Sequence, residues 1–191
     1  MSDQDFFNAF GAELNNASSS VTSTVGNGEG NFIGGNVVTQ GDQSVGGHGF
    51  SSPFSLGGEN IGSQNVNATV GNGEGNFIGG NVITHGDQSV GGHGFSSPFS
   101  LGGENIGSQS VNATVANGAG NFVGGSVLTE GSQSVGGQGF SSPFGLGGEN
   151  IGSQNVNASV ANGAFNAVGG SVVTEGHQSV GDHGLALHAF H

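Results

Sequence analysis

Along most of the chain, apolar side chains stand singly among polar residues and glycines, and the pattern returns every 45 residues. In Val66-Asn67-Ala68-Thr69-Val70 apolar and polar residues alternate, which is the mark of a strand with one buried face. β-Branched residues dominate Val37-Val38-Thr39 and favour the same element. Gly-Gly and Asn-Gly pairs and the stretch Ser51-Ser52-Pro53-Phe54 interrupt these runs as turns. Glycine costs roughly 1 kcal/mol at each interior helix position, so no helical period survives here. The repeat region is predicted to be short strands joined by tight turns.

Three full copies of one phrase occupy residues 24–68, 69–113 and 114–158, and a partial fourth covers 159–184, without insertion or deletion. Some columns stay apolar: Val25/Val70/Val115/Val160, Ile33/Ile78/Val123/Val168, Val37/Val82/Val127/Val172, Val45/Val90/Val135/Val180 and Ile61/Ile106/Ile151. Phe50/Phe95/Phe140 and Phe54/Phe99/Phe144 form aromatic columns. The columns that vary are polar, among them Gln40/His85/Glu130/Glu175 and Asp42/Asp87/Ser132/His177. Fixed apolar and variable polar columns are what an inside and an outside produce.

The expected fold is all-β, a β-solenoid of Gly/Asn-rich 45-residue repeats. The half-phrases GEGNFIGG and GGENIGSQ are loosely alike, which favours two coils per repeat over one wide coil. Equivalent residues then stack in ladders about 4.8 Å apart. Asn60/Asn105/Asn150, Gln64/Gln109/Gln154 and Gln43/Gln88/Gln133/Gln178 are the candidate hydrogen-bonding ladders, with Phe50/Phe95/Phe140 stacking beside them. Residues 1–23 read as a short N-terminal helix (2–15) followed by a polar linker (15–23). Phe6, Phe7, Phe10 and Leu14 share one helix face, suited to capping the first coil or docking on a neighbouring subunit. Residues 185–191 read as a C-terminal cap.

Composition narrows the function. The 191-residue chain has 43 glycines, no Lys, Arg or Cys, and a formal charge of −13. Phosphate backbones are held by basic side chains, so nucleic acid is excluded as an expected partner, and no apolar run reaches the ~20 residues of a membrane helix. A Sec-type signal is not legible at the N-terminus; export, if it occurs, is expected by another route. Without cysteine, neither disulfides nor thiolate metal sites hold the fold.

No nucleophile elbow or singular pocket residue stands out, because nearly every candidate recurs in three or four copies; no enzyme is expected. His48, His93 and His183 share a column that carries Gln138 in the third copy, so that column predicts no metal site, and no cofactor is expected beyond weak divalent-cation binding by stacked acidic residues. Glu59, Glu104 and Glu149 recur in register, so stacking brings like charges together; mild acid, salt or divalent cations are expected to promote assembly. Solenoid edges guarded by no Lys and by one Pro per full repeat invite addition of a further subunit. A Thr column, Thr39/Thr84/Thr129/Thr174 beside Thr24/Thr69/Thr114, supports an alternative as a monomeric solenoid binding ice or a surface. A disordered low-complexity spacer is the third possibility.

The stretch ENIGSQNVNATVGNGEGN (59–76), with its Asn, Gln and Gly among alternating Val and Ala, resembles the bacterial functional-amyloid subunits, the curlin and Fap-type fibre proteins. The period is longer than a curlin repeat. The resemblance implies a homopolymeric, protease-resistant fibre, extracellular or at the cell surface, as in a biofilm matrix.

Overall fold

The computed structural model describes residues 14–26, 28–46, 48–50, 54–56, 59–91, 93–95, 99–101, 104–141, 149–181 and 183–186. The first coil carries β1 (Leu14–Val25), β2 (Phe32–Ile33), β3 (Val37–Val45), β4 (His48–Phe50) and β5 (Phe54–Leu56). The second carries β6 (Glu59–Val70), β7 (Phe77–Ile78), β8 (Val82–Val90), β9 (His93–Phe95) and β10 (Phe99–Leu101). The third has β11 (Glu104–Val115), β12 (Phe122–Val123), β13 (Val127–Val135) and β14 (Gln138–Ser141). The last has β15 (Glu149–Val160), β16 (Ala167–Val168), β17 (Val172–Val180) and β18 (His183–Ala186).

Every strand pairs in parallel with its equivalent 45 residues away, as in Val66↔Val111 and Gln88↔Gln133. The sheets therefore run β1-β6-β11-β15, β2-β7-β12-β16, β3-β8-β13-β17 and β4-β9-β14-β18, with β5 beside β10. The chain is an all-β solenoid in which one repeat makes one coil, not two. The half-phrases fail to form separate coils because they occupy different sides: GEGNFIGG makes the corner around β2, whereas GGENIGSQ opens the long β6 strand. Each half has its apolar positions on one face only, so it must face the other half to bury them.

The polar linker expected over residues 15–23 is instead strand β1, paired along its whole length with β6. Asn15↔Asn60, Ser18↔Ser63, Val21↔Val66 and Val25↔Val70 show it to be a diverged copy of the long strand. Leu14 begins that strand and is 67% exposed, so it is not a helical residue. Phe6, Phe7, Phe10 and the rest of the expected helix lie outside the described residues. At the other end, Leu185 and Ala186 extend the stack by pairing with Phe140 and Ser141, and the remainder of the expected cap lies outside the described residues.

The interior is thin because the two long sheets interlock. Inward glycines of one sheet face inward valines of the other. A Cβ built on Gly62 would lie 2.6 Å from Val90 Cγ2, and one on Gly107 2.5 Å from Val135 Cγ2. The reciprocal contacts pair Gly86 with Val111 and Gly131 with Val156. Val66, Val70, Val82, Val111, Val115 and Val127 are fully buried, as close packing of so narrow a core requires.

The long strands end on left-handed residues: Gly26, Gly71, Ala116 and Ala161 have φ between 54° and 62°, the turn that sends the chain into the short corner strand. Glycine adopts this conformation without penalty, and alanine does so at a cost of about 1–2 kcal/mol.

Candidate functional site

The feature that distinguishes this solenoid is a set of amide ladders along its axis. Inward residues of β6 alternate as Asn60, Gly62, Gln64, Val66, Ala68 and Val70, and the facing strand β8 supplies Gln88. Buried amides nearly always have their hydrogen bonds met. Gln88 Nε2 donates to Gln43 Oε1 at 2.7 Å, Gln133 Nε2 to Gln88 Oε1 at 2.7 Å, and Gln178 Nε2 to Gln133 Oε1 at 2.6 Å. The second glutamine column does the same: Gln109 Nε2 donates to Gln64 Oε1 and Gln154 Nε2 to Gln109 Oε1, both at 2.8 Å.

The glutamines also tie the sheets together. Gln43, Gln88 and Gln133 donate to the carbonyls of Ser63, Ser108 and Ser153 across the core. Gln109 reaches back to the carbonyls of Gly86 and Ser132, each at 2.9 Å. Asn15, Asn60, Asn105 and Asn150 form a third column whose donors point the opposite way, Asn60 Nδ2 to Asn105 Oδ1 at 2.8 Å. The asparagine and glutamine residues singled out from the sequence thus stack as ladders. Phe50, Phe95 and Phe140 pair through their backbones in register.

Two columns were not found from the sequence as what they are. Phe32, Phe77 and Phe122 form an outward stack, with ring centroids 5.1 and 5.2 Å apart and nearly parallel planes; the fourth position is Ala167. Their signal was the 45-residue recurrence of a phenylalanine beside each inward Ile33-type residue. On the outer face of the sheet containing β8, His85 lies between carboxylates, with Nε2 3.1 Å from Asp87 Oδ2 and Nδ1 3.4 Å from Glu130 Oε2. Reading the two variable polar columns together, rather than one at a time, would have found it.

The threonine column offered for ice binding faces the wrong way. Thr39, Thr84 and Thr129 are 3%, 0% and 0% exposed, and their hydroxyls are buried without a hydrogen-bond partner. Strand alternation puts residues 37, 39, 41, 43 and 45 on one face, so these threonines go inward with the valines. Thr24, Thr69 and Thr114 face outward, which leaves a single column.

The two ends of the stack differ. Val37 and Val45 in the first coil are buried, at 7% and 4%, whereas Val172 and Val180 of β17 are exposed to 48% and 44%. Ile151 is likewise exposed at the last coil. Phe165, where the other copies have Gly30, Gly75 and Gly120, is 95% exposed and left-handed at φ 60°. Among the described residues, nothing donates to Oε1 of Gln178 or of Gln154, the last rungs. No helix of the described residues is long and apolar enough to cross a membrane.

Fold and site together define the class: a parallel, in-register β-solenoid with one 45-residue coil per turn and hydrogen-bonded amide ladders inside. Comparison with protein-family models, curated proteins and solved structures finds no match to this chain.

Proposed function

We propose that this chain is a structural subunit that adds head to tail to copies of itself, forming a β-rich filament outside the cell or on its surface. The observation that carries the reading is the match between the ends. The open last strand reads VVTEGHQSV and the first strand of the same sheet reads VVTQGDQSV. A second copy placing its β3 on β17 repeats the valine, threonine, glycine and glutamine contacts already made between β13 and β17. The glutamine donors all point toward the first coil, so Gln43 of an incoming copy meets the acceptor at Gln178. The contact is heterologous and does not close on itself, which generates a fibre rather than a ring. The partner is the chain itself, with no role for nucleic acid or membrane insertion and no catalysis.

In the first coil Val37 and Val45 of β3 are buried, whereas the inward residues of β1 are half-buried. The sequence offers the segment before Leu14 either as a cap on that coil or as a docking element for a neighbouring subunit; as a cap, deleting residues 1–13 is expected to shorten the lag before growth, and as a docking element to slow growth. The test is negative-stain microscopy and fibre diffraction of the purified chain across pH and salt. Unbranched filaments with a reflection near ~4.8 Å along the axis support the reading. Dispersed particles under every condition would overturn it.

A further inference from the structure

The outer face of the β3-β8-β13-β17 sheet carries a lattice of imidazoles and carboxylates built from the two variable columns. Residues two apart on one strand point the same way, and equivalent residues on adjacent strands stand about 4.8 Å apart. Neighbouring coils therefore bring four outward side chains together at each step. Where the first column has histidine, at His85, the second has aspartate on both strands, Asp42 and Asp87. Where the second column has histidine, at His177, the first has glutamate on both, Glu130 and Glu175. In each trio the ligand atoms lie within 4.8 Å of one another.

We propose that these trios are sites for a divalent transition metal of the zinc type, each clasping two adjacent coils. The chemistry at His85 points to a cation. A neutral imidazole has one N–H and one lone pair, yet both ring nitrogens face carboxylates, Nε2 at 3.1 Å and Nδ1 at 3.4 Å. One nitrogen therefore presents a lone pair to a carboxylate unless a proton or a metal ion stands between them. Four carboxylates share the lattice with two histidines, and the chain holds no Lys or Arg to answer them. An imidazole must be neutral to ligate a metal, so the four carboxylates carry four negative charges, which one divalent ion in each trio neutralises.

The arrangement also orients the ligand. Glu130 Oε2 lies 3.4 Å from Nδ1, so a metal-bound His85 would turn its Nδ1–H toward that carboxylate and present Nε2 to the metal beside Asp42 and Asp87, the carboxylate–histidine–metal order that fixes the tautomer in metal sites. Ligand atoms on tetrahedral zinc sit about 3.4 Å apart at the usual bond lengths near 2.0–2.2 Å. The 3.1 Å separation between His85 and Asp87 is already close to that. Mixed nitrogen and oxygen donors favour zinc over magnesium or calcium, which take oxygen. Glu130 serves both trios, backing His85 and standing as a ligand atom beside Glu175 and His177.

The test is calorimetric titration of the full chain with zinc chloride in a non-chelating buffer at neutral pH. The variants copy residues that other coils already carry: His85→Gln after Gln40, and His177→Ser after Ser132. Each is expected to remove one zinc equivalent of the wild type, while His93→Gln, on a different strand, keeps both and a tenfold excess of magnesium displaces neither. Glu130→Gln is expected to weaken both sites at least tenfold. No zinc uptake, uptake unchanged by the His85 and His177 substitutions, or ready displacement by magnesium would each overturn the proposal, the last by reducing it to diffuse screening.

Discussion

The side-chain nitrogen of Gln109 donates to the side-chain oxygen of Gln64 at 2.8 Å, across 45 residues of chain. The same amide reaches the carbonyls of Gly86 and Ser132 on the facing sheet and accepts from Gln154. Gln109 is therefore a junction between three coils and two sheets. Gln109→Ala removes the donor from three acceptors, two of them buried, and is expected to destabilise the monomer by about 3 kcal/mol. Gln178→Ala alters only a half-exposed last rung and is expected to cost less than about 1 kcal/mol, yet to slow filament growth. Urea denaturation and growth followed by light scattering separate the two effects; equal loss of stability in both variants would refute the ladder account.

Interlocking of glycine and valine sets the distance between the sheets. Gly107→Ala places a methyl 2.5 Å from Val135 Cγ2, and overpacking of this kind is expected to cost about 1–3 kcal/mol. Val135→Ala in the same chain opens room for the new methyl. The double variant is expected to be more stable than the sum of the single losses predicts, read from a double-mutant cycle in urea.

Thr84 points the other way in energy. Its hydroxyl is buried without a partner, while its methyl packs inside the coil. Thr84→Val exchanges the orphan hydroxyl for a second methyl, with an expected gain of about 1 kcal/mol. A lower urea midpoint would show that the hydroxyl does find a partner.

Phe165 holds a left-handed backbone in a column otherwise filled by glycine. Phe165→Gly is expected to stabilise the free subunit by about 1 kcal/mol. The ring projects almost fully into solvent at the open end, so the same change is expected to slow end-to-end addition. Faster growth together with higher stability would remove Phe165 from the interface.

Outward glutamates stack in register, Glu104 beside Glu149, and the chain has no Lys or Arg to offset them. Screening by salt weakens this repulsion. Growth rates are expected to rise several-fold between low salt and about 0.5 M sodium chloride, where the Debye length falls to roughly 4 Å, comparable with the ~4.8 Å strand spacing. Rates independent of salt would assign the charge to solubility alone.

Much of this architecture was legible because the repeat prints the interior directly: a column that is always valine, such as Val82 and Val127, is buried. The number of coils was not legible, since similarity of two half-phrases does not say whether they stack or face each other. Gly62 opposite Val90 decides it, and that contact joins residues whose spacing has no repeat signature. β1 was hidden because Leu14, Ala17 and Ser19 replace the glutamate, glycine and glutamine of the later copies, leaving a serine-rich stretch that reads as a linker. Thr39 misled because threonine is polar in composition but β-branched in shape, and the inward alternation of β3 claims it. The His85 cluster lay across two columns and two coils, a juxtaposition that only the 45-residue register brings about.

Because one coil takes one whole repeat, the stack is also a mechanical ruler. A force applied along the axis peels coils from an end one after another, and each release frees 45 residues that had advanced the stack by a single strand spacing. Fully extended, that length of chain spans roughly 150 Å. A subunit under tension thus lengthens in equal steps some thirtyfold larger than the rise it gives up, absorbing work at each step while the coils beyond keep their hydrogen bonds.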